Sequence, residues 1–268
     1  MTIDPGYLAI FLGVGLTTGF LAALLGIGGG VIYVPVIIYL LPIADGMAGT
    51  GTAEYMKTGI TTSLVVVFFA AISSSFANLR ARNVHFPLLR RALVAGTVGA
   101  LAGAFFGALA PALLLKKLFG AFQLYIGTRL LQSAKRQDHA AGNEDLAWKK
   151  VLPIGTFNGF ITSTFGIGGG LFSVPAFNYY CRVPLVKCIG TSSNLILVNA
   201  LFGIMGYLFS ILITAESYIR WDIAAVIAVG SMLSAPLGIK VLPKIQPTLF
   251  KRGFALLVLV SAANLLLR

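Results

Sequence analysis

Long apolar runs alternate with short charged islands along the whole chain, and the runs predict ten helices, five in each half. In the first half they cover about 7–25, 31–42, 57–78, 88–108 and 115–131, and in the second about 151–165, 171–181, 188–213, 222–240 and 249–267. Most have the roughly 17 to 25 residues that span a bilayer core at about 1.5 Å per residue. The second and seventh runs hold only about 11 or 12 residues, too short to cross alone, and read as half-helices that follow a break. The runs are continuous, whereas strands of a transmembrane barrel would alternate apolar and polar positions. A polar stretch from Gln132 to Lys150, with Lys135, Arg136, Asp138, Glu144 and Asp145, parts the halves. The organisation is a first membrane repeat over 1–131, a linker over 132–150 and a second membrane repeat over 151–268.

One string breaks both halves. Gly26-Ile27-Gly28-Gly29-Gly30 recurs as Gly166-Ile167-Gly168-Gly169-Gly170, 140 positions later, and both lead into Val-Pro, at Val34-Pro35 and Val174-Pro175. At the same offset Gly15, Gly19, Phe20 and Tyr39 match Gly155, Gly159, Phe160 and Tyr179. At an offset of 130, Lys57 and Thr61-Thr62-Ser63 match Lys187 and Thr191-Ser192-Ser193; at 135, Gly103 and Lys116-Lys117 match Gly238 and Lys251-Arg252. Matches kept in order across a whole half indicate duplication, not shared composition.

Composition sharpens the membrane reading. A soluble domain carries about 25% charged residues; this chain of 268 residues has 10%, with 57% hydrophobic, which also excludes disorder. A net charge of +12 would suggest nucleic acid in a soluble protein. In a membrane protein Lys and Arg collect in cytoplasmic loops, and no nucleic-acid partner is expected. If the Arg80–Arg91 loop lies inside, alternation places the linker, the 182–187 loop and the 240–252 loop inside as well, with fifteen basic residues inside against five outside. Each half then crosses an odd number of times: five, or three if its first two segments form a re-entrant pair. The halves run in opposite directions. The expected fold is an all-α polytopic membrane protein of two inverted-topology repeats, each with a Gly-rich helix break and a short half-helix, with the linker cytoplasmic and both termini external. The first residues carry Asp4 and no basic residue, so the first apolar segment reads as retained, not as a cleaved signal.

A glycine-rich break before a helix leaves unpaired N–H groups along the axis, at the positive end of its dipole. Glycine also lets an anion approach without a Cβ in the way. Gly28, Gly29, Gly30, Gly168, Gly169 and Gly170 are therefore the first candidates for anion binding, with two helix N-termini converging on one site. The competing role is close helix packing, preferred for Gly15 and Gly19 and for Gly99, Gly103 and Gly107. No Gly-Lys-Ser/Thr follows either string, so a nucleotide loop is excluded. The second constellation is Thr61, Thr62 and Ser63 against Thr191, Ser192, Ser193 and Asn194. Such groups either replace the hydration of an oxyanion without adding charge or bond their own helix at i−4. Thr17, Thr18, Asn158, Thr162, Ser163 and Thr164, just before the breaks, are weaker candidates, and Ser73-Ser74-Ser75 is expected to meet interfacial water. Lys57 and Lys187 stand at the entrances to the hydroxyl-bearing segments, where they draw anions in or snorkel to headgroups. No Asp, Glu or His falls in the middle of a run, which leaves no intramembrane proton relay and no catalytic cluster. Cys181 and Cys188 fit no zinc or redox spacing and read as small buried hydrophobes. No catalytic residue, metal or cofactor is expected.

The paired Gly-Ile-Gly-Gly-Gly strings at Gly26–Pro35 and Gly166–Pro175, each with its Val-Pro, together with the duplicated halves and the size, resemble the TauE/SafE sulfite-exporter family over nearly the whole chain. The resemblance implies a secondary transporter of small sulfur-containing anions (sulfite, sulfoacetate or another organosulfonate) in the lipid bilayer of a cell membrane, expected to be a bacterial inner membrane. Export is the expected direction, since an inside-negative potential favours outward movement of an anion by roughly 2.3 kcal/mol per charge per 100 mV. An importer would need a coupling ion. An anion channel, a membrane scaffold and a membrane enzyme are the remaining readings, and a homo-oligomer is compatible with all of them.

Overall fold

The computed structural model of the chain describes residues 5–47, 52–133, 144–214, 218–241 and 247–267. Expectations for Met1, Asp4 and Arg268, for Lys135, Arg136 and Asp138 of the linker, and for Lys244 fall outside the described residues. Among those residues there are ten helices and no strand: α1 Pro5–Leu25, α2 Gly30–Ala44, α3 Met56–Arg80, α4 Phe86–Leu109, α5 Ala112–Ser133, α6 Trp148–Phe165, α7 Gly170–Cys181, α8 Leu185–Thr214, α9 Trp221–Val241 and α10 Pro247–Leu267. Each boundary falls within three residues of its apolar run. Five described helices, α1, α3, α4, α8 and α9, are long and apolar enough to cross a membrane. The chain is a multi-pass, all-helical membrane protein.

The most extensive contacts join helices from opposite halves: α1 lies along α9, and α6 along α4. Both seams rest on small residues, as expected where lipid tails remove the hydrophobic drive between helices. A Cβ on Gly15 would lie 2.3 Å from the Ile227 carbonyl oxygen, and one on Gly19 2.5 Å from the Ser231 Cα. On the other seam, Gly99 and Gly103 press on the carbonyls of Thr156 and Phe160, at 2.0 and 2.3 Å from a built Cβ. Gly107 instead abuts the Tyr207 hydroxyl of α8. The packing role expected of these glycines is what they perform. Around the seams, α3 packs on α8 and α9, α4 on α8, and α5 on α10.

Prolines inside helices leave the carbonyl four residues earlier without its usual N–H partner, and two of these are bonded from another helix. Pro35 frees Val31 O, which accepts from Gln123 Nε2 at 3.0 Å. Pro236 frees Met232 O, which accepts from Ser73 Oγ at 2.8 Å. Ser73-Ser74-Ser75 therefore does not serve as a water-facing patch: Ser74 bonds Ala71 O, and Ser75 reaches Ser193 O on α8. The need of a proline-freed carbonyl and of the α3–α8 contact, not interfacial water, uses these hydroxyls.

Candidate functional site

Both glycine strings end one helix and start the next. Gly26, Gly28 and Gly29 take left-handed φ values of 68°, 86° and 78°, and Gly166, Gly168 and Gly169 repeat the pattern at 64°, 90° and 69°. A residue with a Cβ would cost roughly 1–2 kcal/mol at each such position. Gly29 and Gly169 cap α2 and α7 with no side chain to offer. The isoleucine inside each string, Ile27 or Ile167, is buried.

The two breaks meet backbone to backbone. A Cβ on Gly30 would fall 1.9 Å from Gly166 O, and one on Gly170 1.9 Å from Gly26 O. Between these contacts, a Cβ on Gly28 would lie 3.0 Å from the Gly168 Cα, and the reverse distance is also 3.0 Å. The sequence-selected glycines are thus brought together, but what lies between them is their own backbone. Space for a ligand is to be sought beside the crossing.

The hydroxyl-bearing segments clamp the crossing. Ser63 Oγ donates to Gly166 O at 2.9 Å, and Ser192 Oγ lies 3.4 Å from Gly26 O and 2.8 Å from Ser173 Oγ. Thr62 Oγ1 accepts from Arg220 N at 3.1 Å, and Thr191 Oγ1 accepts from His85 N at 2.9 Å. These matched bonds pair Thr62 with Thr191 and Ser63 with Ser192, one residue off the register read from the sequence. The reason is local: Ile60, which touches Gly166, follows Lys57 by three positions, whereas Ile189, which touches Gly26, follows Lys187 by two. Thr61 bonds Lys57 O and Tyr218 O, Ser193 bonds Ile189 O, and Asn194 bonds Gly190 O.

The lysines stand away from the crossing. Lys57 Nζ donates to Ala108 O at 2.8 Å and lies over the Tyr218 ring, while Lys187 Nζ donates to Arg82 O at 2.6 Å. Polar side-chain contacts complete the two connections held by Thr62 and Thr191. Arg220 contacts Asp45 at 2.8 Å and Asp222 at 2.9 Å, and His85 meets Glu144 at 2.9 Å. Bonds to Asp222 and Asp45 hold the Arg220 guanidinium well above the usual arginine pKa, so this contact stays charged.

The two sides of the crossing differ. Next to Gly28 lies a cavity of about 20 Å³, lined by Ala22, Ala23, Ala70, Ala71, Ser74 and Ser193 among others. That is room for about one water. Next to Gly169 lie fully buried Asn158 and Thr162, each with an oxygen 2.6 Å from a built Cβ, while Ser163 and Asn199, also fully buried, lie against Gly203 and Gly96. Asn158 Nδ2 donates to Gly169 O at 3.0 Å, Thr162 Oγ1 to Asn158 O at 2.7 Å, and Asn199 Nδ2 to Asn158 Oδ1 at 3.1 Å. The sequence marks Asn158, Thr162 and Ser163 as weaker candidates and does not single out Asn199. Its signal was present, an amide amid the apolar run of α8, but nothing in the sequence ties it to Asn158 on another helix. Among the described residues no group of three His, Cys, Asp or Glu is placed to hold a metal ion, and Cys181 and Cys188 are buried free thiols.

Residues 11–265 match the family described as Sulfite exporter TauE/SafE. The chain is 29% identical to a "Probable membrane transporter protein" of Haemophilus influenzae, across 98% of this chain and 99% of that one. It is 28% identical to "Probable membrane transporter protein MJ0441" of Methanocaldococcus jannaschii, covering 87% and 86% of the two chains. A further "Probable membrane transporter protein", of Xylella fastidiosa, is 27% identical and aligns with 100% of this chain and 97% of its own. No solved structure matches the chain significantly.

Proposed function

The chain belongs to the TauE/SafE sulfite exporter family, a family of membrane transporters, and from that premise we propose that it carries a small sulfur-containing anion, sulfite, sulfoacetate or another organosulfonate, out of the cytoplasm. The observation that carries this reading is the crossing of the two glycine breaks, which sets the N-termini of α2 and α7 side by side inside the helical body. Two positive dipole ends in a low-dielectric interior favour an anion. Serine, threonine and asparagine beside the crossing offer neutral hydrogen bonds to it. The substrate would sit alongside the crossing, not between the breaks.

The two halves are read as inverted repeats. Matched contacts support this: α1 on α9 answers α6 on α4, and the Thr62–Arg220 bond answers the Thr191–His85 bond. From the distribution of basic residues we read the α3–α4 connection and the linker as cytoplasmic and the α8–α9 connection as external, in a membrane we take to be a bacterial inner membrane. Alternating access would then rock one repeat against the other about the crossing. The membrane potential helps an outward-moving anion by roughly 2.3 kcal/mol per charge per 100 mV, so export needs no proton relay and the protein acts as a carrier, not an enzyme.

The test is flux of radiolabelled sulfite and sulfoacetate from proteoliposomes with the potential clamped. Saturable efflux that accelerates when the substrate side is negative is the expected result. No flux with any member of a sulfur-anion panel would sink the proposal, and unitary currents in a planar bilayer would replace the carrier by a channel.

A further inference from the structure

Among the described residues, Ser163 Oγ on α6 and Asn199 Oδ1 on α8 are buried and unbonded, as is Tyr207 Oη further along α8. Ser163 and Asn199 are fully buried. Leaving a polar atom in this condition is costly, and such atoms call for a partner.

The orientation of Asn199 follows from its network. Gly169 O can only accept, so Asn158 must present Nδ2 to it, at 3.0 Å. Asn158 Oδ1 is then an acceptor and takes the Nδ2 of Asn199, at 3.1 Å. Asn199 is left with its carbonyl oxygen, which can accept and never donate. Ser163 lies one turn further along α8: a Cβ built on Gly203 would meet its Oγ at 2.4 Å. Its hydroxyl can donate. The pair therefore asks for a ligand with an acceptor oxygen for Ser163 and a donor of its own for Asn199. The first half supplies nothing equivalent. At the matching positions it has Ala23 in place of Ser163 and Ala70 in place of Asn199.

We propose that the substrate's polar side-chain contacts come from the second half, through the Ser163 hydroxyl and the Asn199 carbonyl oxygen, and that the substrate is a sulfur oxyanion carrying its own hydrogen-bond donor. This rests on the transport reading above and narrows it. Hydrogen sulfite satisfies the demand through its single proton, and a hydroxylated sulfonate does so through its hydroxyl; a fully deprotonated anion with no hydroxyl or amine does not. Asn158 is a positioning residue, since it fixes which end of Asn199 faces the ligand. Gly96 of α4 closes on Asn199 Oδ1, and Gly203 of α8 on Ser163 Oγ. Admitting an anion therefore requires α4 and α6 to part from α8, the kind of motion a carrier makes.

The experiment compares binding of 2-hydroxyethanesulfonate and ethanesulfonate, which differ by one hydroxyl, to the purified full-length protein in nanodiscs by isothermal titration. Wild type should bind the hydroxylated anion about tenfold more tightly, the value of one hydrogen bond of about 1.4 kcal/mol. Asn199→Ala should erase that preference. Ser163→Ala should weaken both ligands about tenfold while keeping the preference, with a melting temperature equal to or above wild type, because it removes an unbonded buried hydroxyl. Ala23→Ser, on the apolar side, should change nothing. Equal binding of the two sulfonates by wild type, or wild-type binding by Ser163→Ala, overturns the assignment and leaves the transport reading standing. No binding of these anions or of sulfite by wild type overturns both.

Discussion

The two sides of the glycine crossing share a backbone and not a chemistry. Beside the first break, Ala22, Ala23 and Ala70 border a cavity with room for about one water. Beside the second, Thr162, Ser163 and Asn199 occupy the matching positions; Thr162 and Asn199 bond Asn158, which donates to Gly169 O. The repeated residues are those whose backbone conformation or close approach admits no alternative, the glycines with left-handed φ and the hydroxyls that tie α3 and α8 to the opposite break. The residues that differ are alanines around the cavity on one side and buried polar residues on the other.

The largest effect should come from breaking what the sides share. Gly30→Ala and Gly170→Ala each place a methyl 1.9 Å from a carbonyl oxygen of the opposite break. Backbone cannot yield there as a flexible side chain would, so each should cost about 3 kcal/mol or more. The check is loss of the monodisperse peak on size exclusion or a fall in melting temperature of several degrees, alike for both variants. A wild-type melt for either one would break the equivalence of the two strings.

A smaller effect tests the clamps. Thr62→Val leaves Arg220 N without its acceptor, and Thr191→Val does the same to His85 N. Each should cost about 1 kcal/mol. Amide exchange should rise at the α8–α9 connection in the first variant and at the α3–α4 connection in the second, with little crossover. If both connections loosen in both variants, the clamps are not local. Smallest of all, Gly13→Ala meets no atom within 4 Å. It should leave the melting temperature unchanged or slightly raised, since alanine is the better helix former by about 1 kcal/mol. A large loss would show that small residues on α1 matter beyond the contacts that Gly15 and Gly19 make.

Most of the helical layout was legible because bilayer-length apolar runs and glycine breaks act locally. Even the short α2 and α7 begin where the glycine string ends. The register of α3 against α8 was not legible to the residue, because a one-residue difference between Lys187 and Ile189 is invisible until both meet a break. The candidate site was half legible. Repetition directs attention to what the halves share, and so selected Thr61, Thr62, Ser63 and their counterparts, whose hydroxyls mostly bond within the protein. Asn199 and Ser163 have no counterpart in the first half, and the unbonded state of Asn199 Oδ1 and Ser163 Oγ is a property of packing around α4, α6 and α8.

The asymmetry of the crossing is tested most directly by hydrogen–deuterium exchange with and without hydrogen sulfite, read on peptides covering residues 26–33 and 166–173. A ligand held beside the second break should slow exchange at the start of α7 and leave the start of α2 unchanged. Equal protection of both peptides, or protection of the first alone, would contradict a substrate held by the second half.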